Sequence, residues 1–443
     1  MRPRISAAMC ARGRKIAEPL LSPDGERVAF LSTAAGLTNI VAAAATGGAE
    51  VALTADPVAG AHPNGGGVVA WTPDGSALVH VGKNGDLRRV DLGGGIAEVL
   101  VSGALASCPA VSPDGHWVAY IRDGRDVAVA ANDPSTAAPW PMRLSSGRSD
   151  FALDPVWSAD GRSVAWLEWD APDMAWDASR IVVAPLDGRE DPRTVAGGPG
   201  VGAQQPQFSP DGRHLGYLCD ANGWLNLWIA DPDGKNARPL VEEPFEHGMA
   251  TWGPGQRTWT WSPDGARVAF CRNEGGFGRL CIAEVGSGAV QEVAKAWHVS
   301  LTWRGAHLAG LRSGARTTPH VVTYSPSEQD FRSSRTAVAT AGIAFPKESL
   351  VEPEVVHWQA EDGIEVHGRL YRPQGVEGAA PMLVWVHGGP TDQQQVMFNA
   401  RVAYFVERGW AVLVPDHRGS TGWGRDYTQA MTGRWGDLDS SDT

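Results

Sequence analysis

One four-residue pattern recurs along most of this chain and constrains its fold more than any other feature. Its consensus is Ser-Pro-Asp-Gly, and the six copies begin at Ser22, Thr72, Ser112, Ser158, Ser209 and Ser262. Pro at the second position, which is Ala in one copy, presets the backbone φ angle of the turn. Asp hydrogen-bonds locally, and Gly adopts a conformation that a side chain disfavours. The copies begin about 40 to 53 residues apart, which is the period of four-stranded blades in a β-propeller.

The residues around each turn are typical of β-strands. Alternating apolar residues follow the turn, as in Arg267–Phe270, and an aromatic residue often precedes it, as Trp157 and Trp261 do. Thr302–Gly305 resembles a seventh, degenerate copy. The sequence therefore predicts a mainly β fold, with a propeller of about seven blades over residues 18–340 after an N-terminal extension over residues 1–17.

Three features of the propeller segment have both a structural and a functional interpretation. The Asp of each turn is predicted to serve the turn itself rather than to bind calcium or substrate. The 19 tryptophans fall mostly on strand positions and are predicted to pack the blades rather than to form a ligand cage. Glu242 and Glu243 are adjacent carboxylates, a candidate site for the ammonium group of a peptide substrate. The alternative for this pair is an exposed loop.

The pattern changes after about residue 340 and predicts a second domain over residues 341–443. Its predicted elements are a strand at 354–360, a strand at 364–371, a buried strand from Met382 to His387, a helix from about Val396 to Glu407 and a buried strand from Trp410 to Pro415. The first two form a hairpin, because alternating residues flank a short turn. The last three form a β-α-β unit, which requires a parallel pair of strands.

The first buried strand of this domain runs into the loop His387–Pro390, of sequence His-Gly-Gly-Pro. In α/β-hydrolases a His-Gly-Gly loop supplies one backbone N–H to the oxyanion of the reaction, and the residue after the nucleophile of a Gly-x-Ser-x-Gly turn supplies another. No Gly-x-Ser-x-Gly sequence occurs among the 443 residues. Asp416, His417 and Ser420 have the residue types of a catalytic triad. Neighbours in sequence rarely converge as a triad must, so a structural loop is the preferred interpretation.

Taken in order, these motifs resemble the prolyl oligopeptidase family of serine peptidases, especially its acylaminoacyl-peptidase and dipeptidyl-aminopeptidase-like branch. Four motifs follow the propeller repeats: Asp362-Gly363, the His-Gly-Gly-Pro loop, Asp-x-Arg-Gly-Ser-Thr-Gly-x-Gly at Asp416–Gly424, and Gly-x-Trp-Gly-x-x-Asp at Gly433–Asp439. In the third motif the first variable position is His417. The resemblance covers nearly the whole chain. It implies a propeller that covers the active site and admits only short peptides, followed by an α/β-hydrolase domain with a Ser-Asp-His triad.

The resemblance also implies roles for individual residues. Gly389 and Gly388 are the implied oxyanion hole, while His387, Pro390, Arg418 and Gly419 shape the loops around it. In the family the three triad residues follow the Trp-Gly-x-x-Asp segment. We therefore expect this chain to be truncated before the nucleophile, to lack the triad and to be inactive as given. No cofactor and no metal is implied.

Two functions from different classes remain open. The first is a serine peptidase of the prolyl oligopeptidase type, acting on short peptides and represented here by an incomplete chain. The second is a propeller that binds a peptide or protein and carries a vestigial hydrolase segment. The well-formed segment from Glu354 onward favours the peptidase.

The charge of the chain indicates which classes of partner to expect, and its cysteine content indicates the cellular compartment. The net charge is -12, and no block of Lys and Arg is present, which argues against nucleic acid or an anionic membrane surface as a partner. The five cysteines are odd in number and form no Cys-x-x-Cys pair, so a reducing cytoplasm is expected. The N-terminal residues make a poor signal peptide, and no apolar run is long enough to span a membrane. The oligomeric state stays open.

Overall fold

A computed structural model describes residues 4–443 except for 63–64, 94–95, 136–139, 327–333 and 377. Within these ranges the strands form eight four-stranded sheets. In each of the first seven sheets, four strands that are consecutive in sequence pair antiparallel, as blades of a propeller do.

The bounds of the blade strands follow in chain order. The first four sheets contain β1 (Lys15–Leu21), β2 (Arg27–Ala34), β3 (Leu37–Ala44), β4 (Val51–Ala52), β5 (Val69–Trp71), β6 (Ala77–Val81), β7 (Leu87–Asp91), β8 (Glu98–Val101), β9 (Ser107–Val111), β10 (Trp117–Arg122), β11 (Asp126–Ala131), β12 (Met142–Arg143), β13 (Phe151–Trp157), β14 (Ser163–Trp169), β15 (Arg180–Pro185) and β16 (Arg193–Gly197). The next three contain β17 (Ala203–Phe208), β18 (Leu215–Cys219), β19 (Asn226–Ala230), β20 (Arg238–Pro239), β21 (Trp259–Trp261), β22 (Arg267–Glu274), β23 (Phe277–Glu284), β24 (Val290–Lys295), β25 (Trp297–Arg304), β26 (His307–Gly314), β27 (Thr317–Tyr324) and β28 (Thr336–Thr340).

The ring of blades is closed by packing between the first and the seventh sheet. Val28 and Phe30 of β2 lie in one buried apolar cluster with Ala309 of β26 and Val321 of β27. Apolar burial of this kind between neighbouring sheets is what holds a propeller together. The predicted fold class, with about seven blades, is confirmed.

The repeated turns have the predicted chemistry. In the first copy, Asp24 Oδ1 accepts hydrogen bonds from Ser22 Oγ at 2.5 Å and from the Glu26 amide at 3.0 Å. Gly25 has a φ of 79°, a conformation that favours glycine. In the second copy, the hydrogen bond from Thr72 is the largest of several that lower the pKa of Asp74 to about 2.

Several tryptophans join neighbouring blades. Trp71 Nε1 donates to the Leu20 carbonyl at 3.1 Å, and Trp157 Nε1 donates to the Ala110 carbonyl at 2.9 Å. In both cases the donor and the acceptor belong to adjacent sheets. These rings bury apolar area and also satisfy their own N–H group, as buried tryptophans usually do.

The eighth sheet belongs to the C-terminal segment. Its strands are β29 (Glu354–Gln359), β30 (Glu365–Tyr371), β31 (Met382–Val384) and β32 (Ala411–Asp416), in the spatial order β29-β30-β32-β31. The helices are α1 (Ala7–Ala11), α2 (Ala400–Glu407), α3 (Arg425–Gln429) and α4 (Leu438–Ser441), with a short 3₁₀ turn at Lys347–Ser349. Strands β31 and β32 are parallel and are joined through α2, and β29 and β30 form the expected hairpin. The sheet has the layout of a partial α/β-hydrolase domain.

The helix of this unit begins later than the sequence predicts. It starts at Ala400 rather than near Val396, because Asn399 Oδ1 caps it by accepting from the Arg401 and Val402 amides at 3.0 and 3.3 Å. The residues before the cap bond to the propeller instead. The Val396 amide donates to the Gly276 carbonyl at 2.8 Å and the Phe398 amide donates to Ser313 Oγ at 2.9 Å, which hold this stretch against the propeller.

The strand predicted as buried from Met382 to His387 is wrong in both extent and burial. It ends at Val384, and Met382, Val384 and Val386 are 52%, 40% and 45% exposed. Among the described residues β31 pairs with β32 alone and forms the edge of the sheet. The physical reason is that burial of a parallel strand needs a neighbour on both sides and cover on both faces. An exposed apolar edge of this kind invites further strand pairing.

The structure does not test the predicted domain boundaries, which stay a prediction. Strand β1 begins at Lys15, inside the proposed extension. Earlier residues contact the C-terminal segment, where the Ile5 amide donates to Glu407 Oε2 at 2.8 Å. In the described part of the chain, no helix is long and apolar enough to cross a membrane.

Candidate active site

The loop that follows β31, residues 387–391, is called the oxyanion loop below. Its two glycines are exposed. Within the described residues, neither the Gly388 nor the Gly389 amide donates a hydrogen bond. Gly389 has a φ of 137°, and a Cβ added there would lie 2.8 Å from the Thr391 nitrogen. The loop therefore presents two unpaired N–H groups at the edge of a parallel strand pair, in a backbone conformation that requires glycine at position 389.

His387 connects this loop to the segment that follows β32. Its Nε2 hydrogen-bonds with Ser420 Oγ at 2.9 Å, and its ring stacks on His417 with centroids 4.6 Å apart. Ser420 is fully buried, and its hydroxyl also contacts the His417 carbonyl at 2.6 Å. Burial lowers the pKa of His387. The contacts support a bracing role for His387, which stays a prediction.

Asp416 is occupied by other partners and does not form a triad with its neighbours. Its carboxylate accepts from the guanidinium of Arg369, from Trp423 Nε1 at 2.8 Å and from Gln393 Nε2 at 2.8 Å. Arg369 and Asp416 are both fully buried. Burial alone would raise the pKa of Asp416, but the charge of Arg369 holds it below its ordinary value. The Asp416, His417 and Ser420 set is thus structural, as the sequence indicates.

Arg418 and Gly419 shape the segment after β32. Arg418 donates to Asp442 at 2.6 and 2.9 Å and to Asp362 at 2.5 Å, which ties the segment to α4 and to the hairpin turn. Gly419 has a φ of 95°, and a Cβ there would lie 2.6 Å from the side chain of Met431. Both positions therefore fit the loop-shaping roles that the resemblance implies.

The structure gives Glu243 a local role within the propeller. Its carboxylate contacts His247 Nε2 at 2.8 Å and Arg272 at 3.3 Å. Glu242 is exposed. Capture of a substrate amine by this pair stays a prediction, and the hydrogen bonds of Glu243 already satisfy part of its carboxylate.

No sequence pattern identifies the residues that join the propeller to the C-terminal segment. Glu246, in the chain between β20 and β21, accepts from the Gly422 amide at 2.8 Å and the Gly424 amide at 3.3 Å. Asp220, after β18, forms an ion pair with Arg425. Single acidic residues in loops between blades are ordinary, so only their partners in space identify these two as interface residues.

A cavity of about 580 Å³ lies between the inner face of the propeller and the stretch that contains Gln395 and Met397. Glu18 and Arg257 are among its lining residues. Glu18 is fully buried and accepts from the Val68 amide at 3.1 Å, and burial raises the pKa of this carboxyl group. A cavity of this volume is in the range of small-ligand sites.

Glu246 gives the interface a pH dependence. Burial raises its pKa from 4.5 to about 7, so the folded state binds more protons than the unfolded state between these two values. The resulting stabilisation is complete below the unfolded pKa and is lost as the pH rises through about 7. Relative to Glu246→Gln, wild-type stability should therefore fall by up to about 3 kcal/mol between pH 4.5 and pH 8.

Urea unfolding of both proteins across this pH range measures the effect. The matched control is Glu242→Gln, the same substitution at an exposed position nearby. Parallel pH profiles for wild type and Glu246→Gln would show that the buried carboxyl group does not titrate in this window.

Comparison with known proteins agrees with this architecture. A family model described as "Prolyl oligopeptidase family" matches residues 396–443. The whole chain superimposes on puromycin hydrolase with a TM-score of 0.87 and 27% identity, covering 100% of this chain and 72% of that one. This chain is similar to the prolyl oligopeptidase family. The resemblance to this family that the sequence motifs indicate is thereby confirmed.

Two further proteins are similar over most of the chain. A puromycin-hydrolyzing peptidase from Mycobacterium tuberculosis superimposes with a TM-score of 0.89 and 25% identity, covering 99% of this chain and 71% of that chain. The probable dipeptidyl-peptidase 5 of Emericella nidulans is 24% identical over 341 residues, which are 72% of this chain and 45% of the relative. The chain spans less than half the length of the curated relatives that it matches.

Proposed function

We propose that this chain supplies the propeller and the oxyanion hole of a serine-type peptidase that releases aminoacyl or acylaminoacyl units from short peptides. The observation that carries the proposal is the pair of exposed, unpaired amides at Gly388 and Gly389. They lie at the edge strand of a partial α/β-hydrolase sheet, behind a closed propeller.

The chemistry follows from the geometry of the oxyanion loop. When a serine attacks a peptide carbonyl, the carbonyl oxygen becomes an oxyanion, and preorganised N–H donors stabilise that charge. The Gly389 amide is the proposed donor from this chain, and Gly388 shapes the loop beside it. The strand that carries the serine would pair with the free edge of β31, as the family resemblance implies.

We propose short substrates because the cavity between the propeller and the C-terminal segment is small. The cavity of about 580 Å³ lies between the propeller and the segment that leads into α2. A folded protein would not fit in such a volume, whereas a peptide of a few residues would. Among the structural relatives, a puromycin hydrolase variant is described as a complex with PGG. That complex supports a peptide ligand for puromycin hydrolase.

We also propose that the chain as given is inactive. It contains no Gly-x-Ser-x-Gly sequence, and the buried Ser420 beside His387 has no access to a substrate. Without a nucleophile only weak residual catalysis from binding and oxyanion donors is expected, orders of magnitude below that of an intact enzyme.

Hydrolysis of dipeptidyl and acyl-peptide anilides tests the proposal with two proteins. One is the chain alone, and the other is a chimera in which this chain is followed by the C-terminal segment of puromycin hydrolase. We expect the blank rate from the chain and a clear rate from the chimera. A folded chimera that binds peptides without cleaving them would favour the propeller as a binding module.

A further inference from the structure

The oxyanion loop is held by side chains of the propeller as well as by its own domain. Trp252, in the chain between β20 and β21, donates from Nε1 to the Thr391 carbonyl at 2.7 Å. Asn273 of β22 donates from Nδ2 to Gln393 Oε1 at 2.8 Å. Thr391 and Gln393 lie two and four residues after Gly389. Trp252 binds the backbone carbonyl of Thr391, and Asn273 binds the side chain of Gln393, so both hold the segment that follows the Gly389 amide.

Both donors are fixed by their own surroundings. The ring of Trp252 packs on Trp176 with centroids 4.5 Å apart. Asn273 is buried, and its Oδ1 accepts from the Gly276 amide at 2.8 Å. Side chains restrained in this way lose little further freedom when they bind the loop, so they can define its position closely.

The acceptor side is equally constrained. Gln393 is buried, and its Nε2 donates to Asp416, which the guanidinium of Arg369 also binds. The amide group of Gln393 thus relays a continuous line of hydrogen bonds from the propeller to the centre of the hydrolase sheet. Its two ends cannot move independently without breaking a bond between buried groups, which costs more than breaking an exposed one.

We propose that Trp252 and Asn273 are positioning residues that align the oxyanion donors. This inference rests on the proposed function and adds two residues that position its site. Loss of either donor would leave the Thr391 carbonyl or the Gln393 amide oxygen without its partner from the propeller. Since small displacements of catalytic groups are costly, a loosened loop would stabilise an oxyanion poorly.

The test measures the loop directly in the 443-residue chain and needs no catalytic turnover. Trp252→Phe keeps the aromatic ring and removes the N–H donor. Because the Gly388 and Gly389 amides are already unpaired, we expect the change at the Asp392 and Gln393 amides, which donate to the Pro390 carbonyl and to Asp392 Oδ1. Their hydrogen exchange should become about fivefold faster, as the loss of one net hydrogen bond predicts. The NMR resonances of Gly388 and Gly389 should shift as well. Exchange in the blades and the thermal midpoint should stay close to wild type.

Trp261→Phe is the matched control, because Trp261 Nε1 donates to the Gln207 carbonyl at 3.1 Å within the propeller. Loop exchange should not change in this variant. Asn273→Asp is the second test, since it keeps an acceptor for the Gly276 amide and removes the donor to Gln393. If Trp252→Phe does not fold, Asn273→Asp tests the positioning role instead. Unchanged loop exchange in the folded variants, or an equal rise in the control, would overturn the positioning role. The peptidase proposal fails separately, through a chimera that does not cleave.

Discussion

Replacing Gly389 by Ala in the active chimera should lower kcat by about 10²- to 10³-fold, the usual effect of losing one oxyanion donor. The added Cβ would meet the Thr391 backbone at 2.8 to 3.3 Å, and the φ of 137° is strained for any residue with a side chain. The loop must rotate to relieve these contacts, and rotation turns the Gly389 N–H away from the oxyanion. KM should change little, because the lost interaction forms mainly in the transition state.

Gly388→Ala is the control in the same loop. An added Cβ at this position meets no atom within 4 Å, and its φ lies outside the left-handed range. The substitution keeps the backbone N–H and should leave kcat within a few-fold of the parent chimera. Equal losses for the two substitutions would point to general disturbance of the loop and against a specific donor at Gly389.

Breaking the buried Arg369–Asp416 pair should destabilise the hydrolase segment by about 3 to 5 kcal/mol, the range for a buried charge that loses its partner. In Arg369→Met the Asp416 carboxylate keeps its hydrogen bonds from Trp423 and Gln393 but has no countercharge. Urea unfolding measures the loss. The double variant Arg369→Met with Asp416→Leu should recover much of it, because no unpaired charge then remains.

Arg372→Met is the control. It removes a neighbouring arginine that pairs with Glu354, and both side chains of this pair are exposed. Exposed pairs contribute about 0 to 1 kcal/mol, so this variant should be nearly as stable as wild type. A loss below about 1 kcal/mol for Arg369→Met as well would show that the buried pair is not needed for stability.

The propeller could be predicted from sequence because its signals are local. The partners of each Ser-Pro-Asp-Gly turn lie within the copy or directly after it, as the bonds of Asp24 to Ser22 and Glu26 show. Spacing then gave the number of blades. The same holds for the hairpin of β29 and β30 and for the end of α2, which stops at Glu407, two residues before Gly409 with its φ of 87°.

The residues that sequence reasoning missed have partners far along the chain. The Trp252 bond to Thr391 spans 139 residues, that of Asn273 to Gln393 spans 120, and that of Glu246 to Gly422 spans 176. No local pattern encodes such pairs. The late start of α2 has the same origin, since apolar spacing indicated Val396 while bonds from this segment to the propeller hold it outside the helix.

We propose that this chain provides an oxyanion hole but no nucleophile. Intact-mass analysis after treatment with a fluorophosphonate tests it most directly, because the reagent bonds only to an activated serine. We predict no added mass on the chain alone and one phosphonyl group on the chimera. A single adduct on the chain itself, mapped to Ser420 or to any other serine, would contradict the claim.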